Sequence, residues 1–110
     1  MIDKRKFYIN GKWVSPSKSK DFDVINPSTE EAFATISLGS KDDTNSAVSA
    51  AKEALVSWSE SSKEERINLL EKLLNIYKKR YSEMVEAISM EMGAPIDWSR
   101  DSQTSSGQSH

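Results

Sequence analysis

The chain has 110 residues, with 17 acidic against 15 basic side chains, a formal net charge of -2, one histidine and no cysteine. That length holds one small domain and leaves no room for a second, catalytic one, and the charge balance offers no global field to a polyanion, so no nucleic-acid partner is expected. Without thiols there is no disulfide, thiolate metal site or cysteine nucleophile within these residues, and without a long apolar run there is no membrane-spanning stretch or secretory leader, which makes the cytoplasm the expected place.

Phe7-Tyr8-Ile9-Asn10-Gly11-Lys12-Trp13-Val14 reads as two strand pieces around Asn-Gly, whose residues both tolerate positive φ. A polar connector with Pro16 leads to a second hairpin. Its first arm is Phe22-Asp23-Val24-Ile25-Asn26 and its second runs from Ala32 to Leu38. Between them, Asn26 is pushed toward extended backbone by Pro27, while Ser28 and Thr29 can bond locally to the turn. In the second arm Ala32, Ala34, Ile36 and Leu38 share one face, expected to be the buried one.

Gly39 closes this β ribbon, placed at 7–38, and Ser40 caps a first helix over 41–58 with Asp42 and Asp43 at its positive end. Ala47, Ala50, Ala51, Ala54, Leu55 and Trp58 recur on one face, expected to pack closely on a neighbour. Ser62-Lys63-Glu64-Glu65 has the spacing of a capping box and opens a second helix, expected over 63–92 with a break near Ser82. Ile67, Leu69, Leu70, Leu73, Leu74, Ile76, Tyr77 and Tyr81 cover about half its circumference, wider than the stripe one partner helix hides. The opposite side is charged, so Lys78-Lys79-Arg80 reads as a solvated helix end rather than a basic patch. Gly93 suits a helix C′ position and Pro95 the first turn of a new helix. From 96 to 110 the sequence turns polar, consistent with a third helix left unfinished or with disorder.

Chemistry is scarce. The sole histidine, His110, could support a triad or zinc site only from the end of the chain. Gly11, Gly39, Gly93 and Gly107 are isolated, so no phosphate-cradling loop or dinucleotide fingerprint is present. The carboxylates lie where surface helices ordinarily carry charge, and Trp13, Trp58, Trp98, Met84, Met90 and Met92 read as packing residues before they read as a ligand pocket. These parts describe an incomplete α+β or α/β layer that wants more protein than it contains.

In their order and spacing, Phe7-Tyr8-Ile9-Asn10-Gly11-Lys12-Trp13, Val24-Ile25-Asn26-Pro27-Ser28-Thr29-Glu30, the alanine-rich stretch 47–58, 66–81 and Glu91-Met92-Gly93-Ala94-Pro95 resemble the amino-terminal segment of the aldehyde dehydrogenase superfamily. The resemblance covers nearly the whole chain. It implies an α/β family fold of which only the N-terminal part is present over 1–110, belonging to a cofactor-binding and oligomerisation region. It further implies oxidation of an aldehyde to an acid with NAD or NADP, a homo-oligomer, and a catalytic cysteine and glutamate outside these residues, so that the chain alone is inactive. One family site carries over: a monovalent cation held by backbone carbonyls at Val24 and Ile25 and by the Glu91 carboxylate, against which stands the plainer reading of strand core and solvated helix end. The helix after Pro95 borders the substrate entrance in the family, which points to Trp98, Gln103 and Ser106. The rival expectation is a non-catalytic helical interaction module that uses the apolar face of the second helix.

Overall fold

The structure, a computed structural model, describes residues 1–108, so His110 and the end of the helix expected over 96–110 lie outside the described residues. The chain divides into two compact units, one of residues 1–25 and 32–61, the other of residues 26–31 and 62 onward.

In the first unit, β2 (Phe7–Ile9) and β3 (Lys12–Val14) form the antiparallel ribbon expected around Asn-Gly, with Phe7 opposite Val14 and Tyr8 opposite Trp13. Asn10 (φ 53°) and Gly11 (φ 75°) both take the left-handed conformation of a tight two-residue hairpin. The Tyr8 and Trp13 rings meet edge to face at 5.2 Å.

β4 (Asp21–Asn26) and β5 (Glu31–Ser37) are the arms of the second hairpin, and β1 (Ile2–Lys4) adds a third strand in the order β1-β5-β4. β1 runs parallel to β5, with Ile2 opposite Ala34 and Lys4 opposite Ile36. Arg5 follows it and clasps the Asp3 carboxylate at 2.8 and 3.0 Å. That hydrogen bonding lowers the Asp3 carboxyl to about 2. β5 is the central strand, and in place of the expected one-sided burial Ala34 and Ser37, three residues apart and so on opposite faces, are the buried positions, with the residues between half-buried.

α1 (Lys41–Trp58) begins on a reciprocal box in which the Asp43 N–H donates to Ser40 Oγ (3.3 Å) and the Ser40 N–H to Asp43 Oδ2 (2.9 Å). It packs on β2. Its alanine face, expected to pack closely, is exposed apart from a half-buried Ala50.

The second unit holds the turn 26–31, α2 (Lys63–Lys79), α3 (Tyr81–Met92), the single turn α4 (Ile96–Trp98) and a π-helical segment, Ser99–Thr104. Ser62 and Glu65 make the expected capping box. The second helix is two helices, parted at Arg80, two residues from the break expected near Ser82. Arg80 leaves helical geometry (φ -101°, ψ 15°), and its N–H is shared between the carbonyls of Ile76 and Tyr77. Lys78, Lys79 and Arg80 are solvent-exposed, as a helix end would be.

Burial does not follow hydropathy. Among the described residues Ala34 and Val85 are the only buried apolar side chains, whereas Leu70 is 63% and Leu73 61% exposed. The largest side chains wholly out of solvent are Ser99 and Thr104. The tryptophans and methionines expected to pack are mostly open, with Trp13 67% and Met92 57% exposed, because no opposite layer exists in these residues to receive them.

Candidate functional site

The strongest local construction joins the Asn-Pro turn to the end of α3. Asn26 Oδ1 accepts the Ser28 N–H at 2.9 Å and the Asn26 carbonyl accepts the Glu30 N–H at 2.8 Å, closing the turn from both sides. Glu30 is thereby held at φ 59°, a conformation a β-carbon disfavours. Gly93 ends α3 at φ 70°, donating its N–H to the Ser89 carbonyl at 2.9 Å, and Ser89 Oγ donates to the Ala94 carbonyl at 2.8 Å.

A β-carbon on Gly93 would lie 2.8 Å from Pro27 Cγ. Glycine is therefore required twice, for its left-handed backbone and for the close approach of the proline ring. Two motifs 66 residues apart in sequence (27 and 93) are one contact in space.

Glu91 stands two residues before this junction, exposed, with no ion-pair partner among the described residues. The last turn of α3 carries no basic side chain, so a carboxylate and the negative end of the helix dipole stand together. Oxygen donors of this kind suit a hard cation. Val24, half-buried, and Ile25, exposed, lie on β4 in the first unit, and Glu91 belongs to the second. No cluster of three histidine, cysteine or carboxylate side chains suited to a metal occurs among the described residues.

Beyond Pro95 the polar stretch is helical from Ile96 to Thr104. Trp98 is 43% exposed at the end of α4, Gln103 lies exposed within the π segment, and Ser106 Oγ donates to the Gln103 carbonyl at 2.8 Å. Tyr77 and Tyr81, counted in the sequence as members of an apolar face, send their hydroxyls to the carbonyls of Thr104 and Arg100. Apolar periodicity conceals such polar ends.

Asp43, expected as an acidic residue at the positive end of α1, is also buried. It is 9% exposed and accepts the N–H groups of Ser40 and Ser17, each at 2.9 Å, which hold its carboxyl below the usual range. The Ser40-x-x-Asp43 spacing was its one signal in the sequence.

These residues do not fit a nicotinamide cofactor. Gly11 turns a hairpin and Gly93 ends a helix, the other glycines are likewise isolated in the sequence, and no dinucleotide fingerprint is present.

The model of the aldehyde dehydrogenase family matches residues 13–108. The chain belongs to the aldehyde dehydrogenase family. Its structure superposes on an aldehyde dehydrogenase of Bartonella henselae with a TM-score of 0.98 and 55% identity, covering 100% of this chain and 23% of that one. Aldehyde dehydrogenase C of Pseudomonas syringae, in complex with NAD+ and octanal, matches with a TM-score of 0.89 and 39% identity over 92% of this chain and 21% of its own. A 3-succinoylsemialdehyde-pyridine dehydrogenase from a Pseudomonas species is 43% identical over 87% of this chain and 20% of its own length. This aldehyde dehydrogenase chain thus spans about a fifth of the length of its relatives and has the fold of their N-terminal portion. No helix of the described residues is long and apolar enough to cross a membrane.

Proposed function

We propose that the chain is the N-terminal part of an NAD(P)-dependent aldehyde dehydrogenase, which oxidises an aldehyde to a carboxylic acid, and that it is inactive by itself. The observation carrying this reading is the match across the whole chain to an aldehyde dehydrogenase more than four times its length. NAD+ and octanal bound to the Pseudomonas syringae relative support a nicotinamide cofactor and an aldehyde substrate. The reaction needs a nucleophile to attack the carbonyl, a hydride acceptor and a base to release the acid. With no cysteine here, a thiol for the first role comes from sequence outside these residues.

Within the same reading, the chain contributes scaffold and edges. The carbonyls of Val24 and Ile25 and the carboxylate of Glu91 would hold a monovalent cation. Trp98, Gln103 and Ser106 would line the approach of the aldehyde. The apolar face of α2 would be covered by the rest of the subunit or by a second copy in a homo-oligomer, in the cytoplasm.

The test is reduced-nicotinamide formation from octanal by the protein as its gene encodes it, beside the 110-residue chain alone. Turnover by the former and none by the latter is expected. Turnover by the isolated chain, or none by the intact protein with any of a panel of aldehydes and either NAD+ or NADP+, would overturn the proposal.

A further inference from the structure

A π-helix carries each hydrogen bond one residue farther than an α-helix, with poorer packing along its axis, and it rarely persists without outside support. Ser99–Thr104 has such support. Thr104 Oγ1 reaches back five residues to the Ser99 carbonyl at 2.7 Å. The Tyr77 hydroxyl donates to the Thr104 carbonyl at 2.8 Å, and the Tyr81 hydroxyl donates to the Arg100 carbonyl. The two rings brace each other edge to face, 6.2 Å apart at 86°, on either side of the Arg80 break.

Two further observations show how tightly this stretch is packed. Three residues beyond the segment the chain comes so close to Tyr77 that a β-carbon on Gly107 would lie 2.5 Å from its hydroxyl oxygen. Ser99, wholly buried at the start of the segment, has a hydroxyl with no partner among the described residues.

We propose that Tyr77 and Tyr81 are positioning residues which hold 99–104 in the π register and so decide which side chains between Trp98 and Ser106 face the aldehyde. This rests on the aldehyde dehydrogenase reading above, and on the approach of substrate along this stretch. Relaxing the segment by one residue to an α-helix turns everything after it by about 100°. Such a turn carries Gln103 and Ser106 away from their present directions. Aldehyde fit would change while the reacting groups, which lie elsewhere, would not.

The experiment uses the intact enzyme with Y77F, Y81F and both together, changes that keep the rings and remove only the hydroxyls. KM and kcat are measured separately with NAD+ and straight-chain aldehydes from propanal to octanal. Hydrogen exchange of 99–106 is followed by mass spectrometry. Each lost hydroxyl should speed exchange about threefold to tenfold, the worth of one hydrogen bond. In the double variant the ranking of KM by aldehyde length should change while kcat stays within about twofold, so that the effect is one of fit and not of chemistry.

Gly107→Ala, which displaces the Tyr77 hydroxyl from the other side, should shift the same KM values. Unchanged exchange in the double variant would overturn the inference. Faster exchange with an unchanged KM ranking would overturn the positioning role and leave aldehyde oxidation standing. Absence of turnover in the unsubstituted enzyme would instead sink the parent reading, and exchange would still decide whether the tyrosines hold the register.

Discussion

α2 and the π segment are neighbours within one unit and differ in almost every respect. α2 presents Ile67, Leu69, Leu70, Leu73 and Ile76 to solvent, while the π segment, nearly devoid of apolar side chains, encloses a serine and a threonine completely. The difference separates two sources of order. The π segment is held by directed hydrogen bonds from a tyrosine pair and is finished within these residues, whereas α2 is built for a hydrophobic neighbour that these residues do not supply. Of the two, the helix with the stronger pattern is the less complete.

The largest effect that would sharpen this contrast is expected at Leu73. Leu73→Ala should cost the intact protein about 2–5 kcal/mol if the face is buried there, and less than about 0.5 kcal/mol in the 110-residue chain, where Leu73 is 61% exposed. Denaturant midpoints of the two pairs would show it. Equal costs would break the comparison.

Next comes the turn on α3. Gly93→Ala forces a β-carbon to 2.8 Å from Pro27 Cγ at φ 70° and should cost about 2–4 kcal/mol in either form, since the contact is internal to one unit. A cost confined to the intact protein would place the strain elsewhere.

A smaller loss is expected at the α1 cap. Ser40→Ala should lower stability by about 1 kcal/mol. Asp43 adds a pH dependence whose sign is fixed: its folded carboxyl titrates below the ordinary 3.8, so its contribution is full above that value and is lost as pH falls through the folded one. Asp43→Asn should therefore flatten the acid limb of a stability profile below about pH 4 and leave its neutral limb sloped as before.

The smallest effect is at Ser99. Removing a buried, unpartnered hydroxyl by Ser99→Ala should leave the thermal midpoint unchanged or slightly raised. A clear drop would mean that the hydroxyl has a partner in solution.

Much of this architecture was legible in the sequence because it is written in local rules. Asn10-Gly11 turns its hairpin through two left-handed residues, Ser62 and Glu65 cap α2, and Gly93 stops α3 as the chain's pattern requires. β1 was not legible, since three residues reading Ile-Asp-Lys carry no strand signal and their partner lies some thirty residues on, in β5. The break expected near Ser82 falls at Arg80, and only its neighbourhood was legible because apolar periodicity continues straight through it. Nor could periodicity announce a π register, which depends on two hydroxyls at the polar tips of residues counted as apolar. Gly93 was read as a helix stop, but its contact with Pro27 needed the fold.

The most direct measurement is hydrogen exchange along α2 (Lys63–Lys79) in the intact protein and in the 110-residue chain. If the chain is part of a larger aldehyde dehydrogenase that covers this face, α2 amides should be strongly protected in the intact protein and exchange far faster in the isolated chain. Equal protection in both would show that the helix needs no further neighbour, and would contradict the account at its centre.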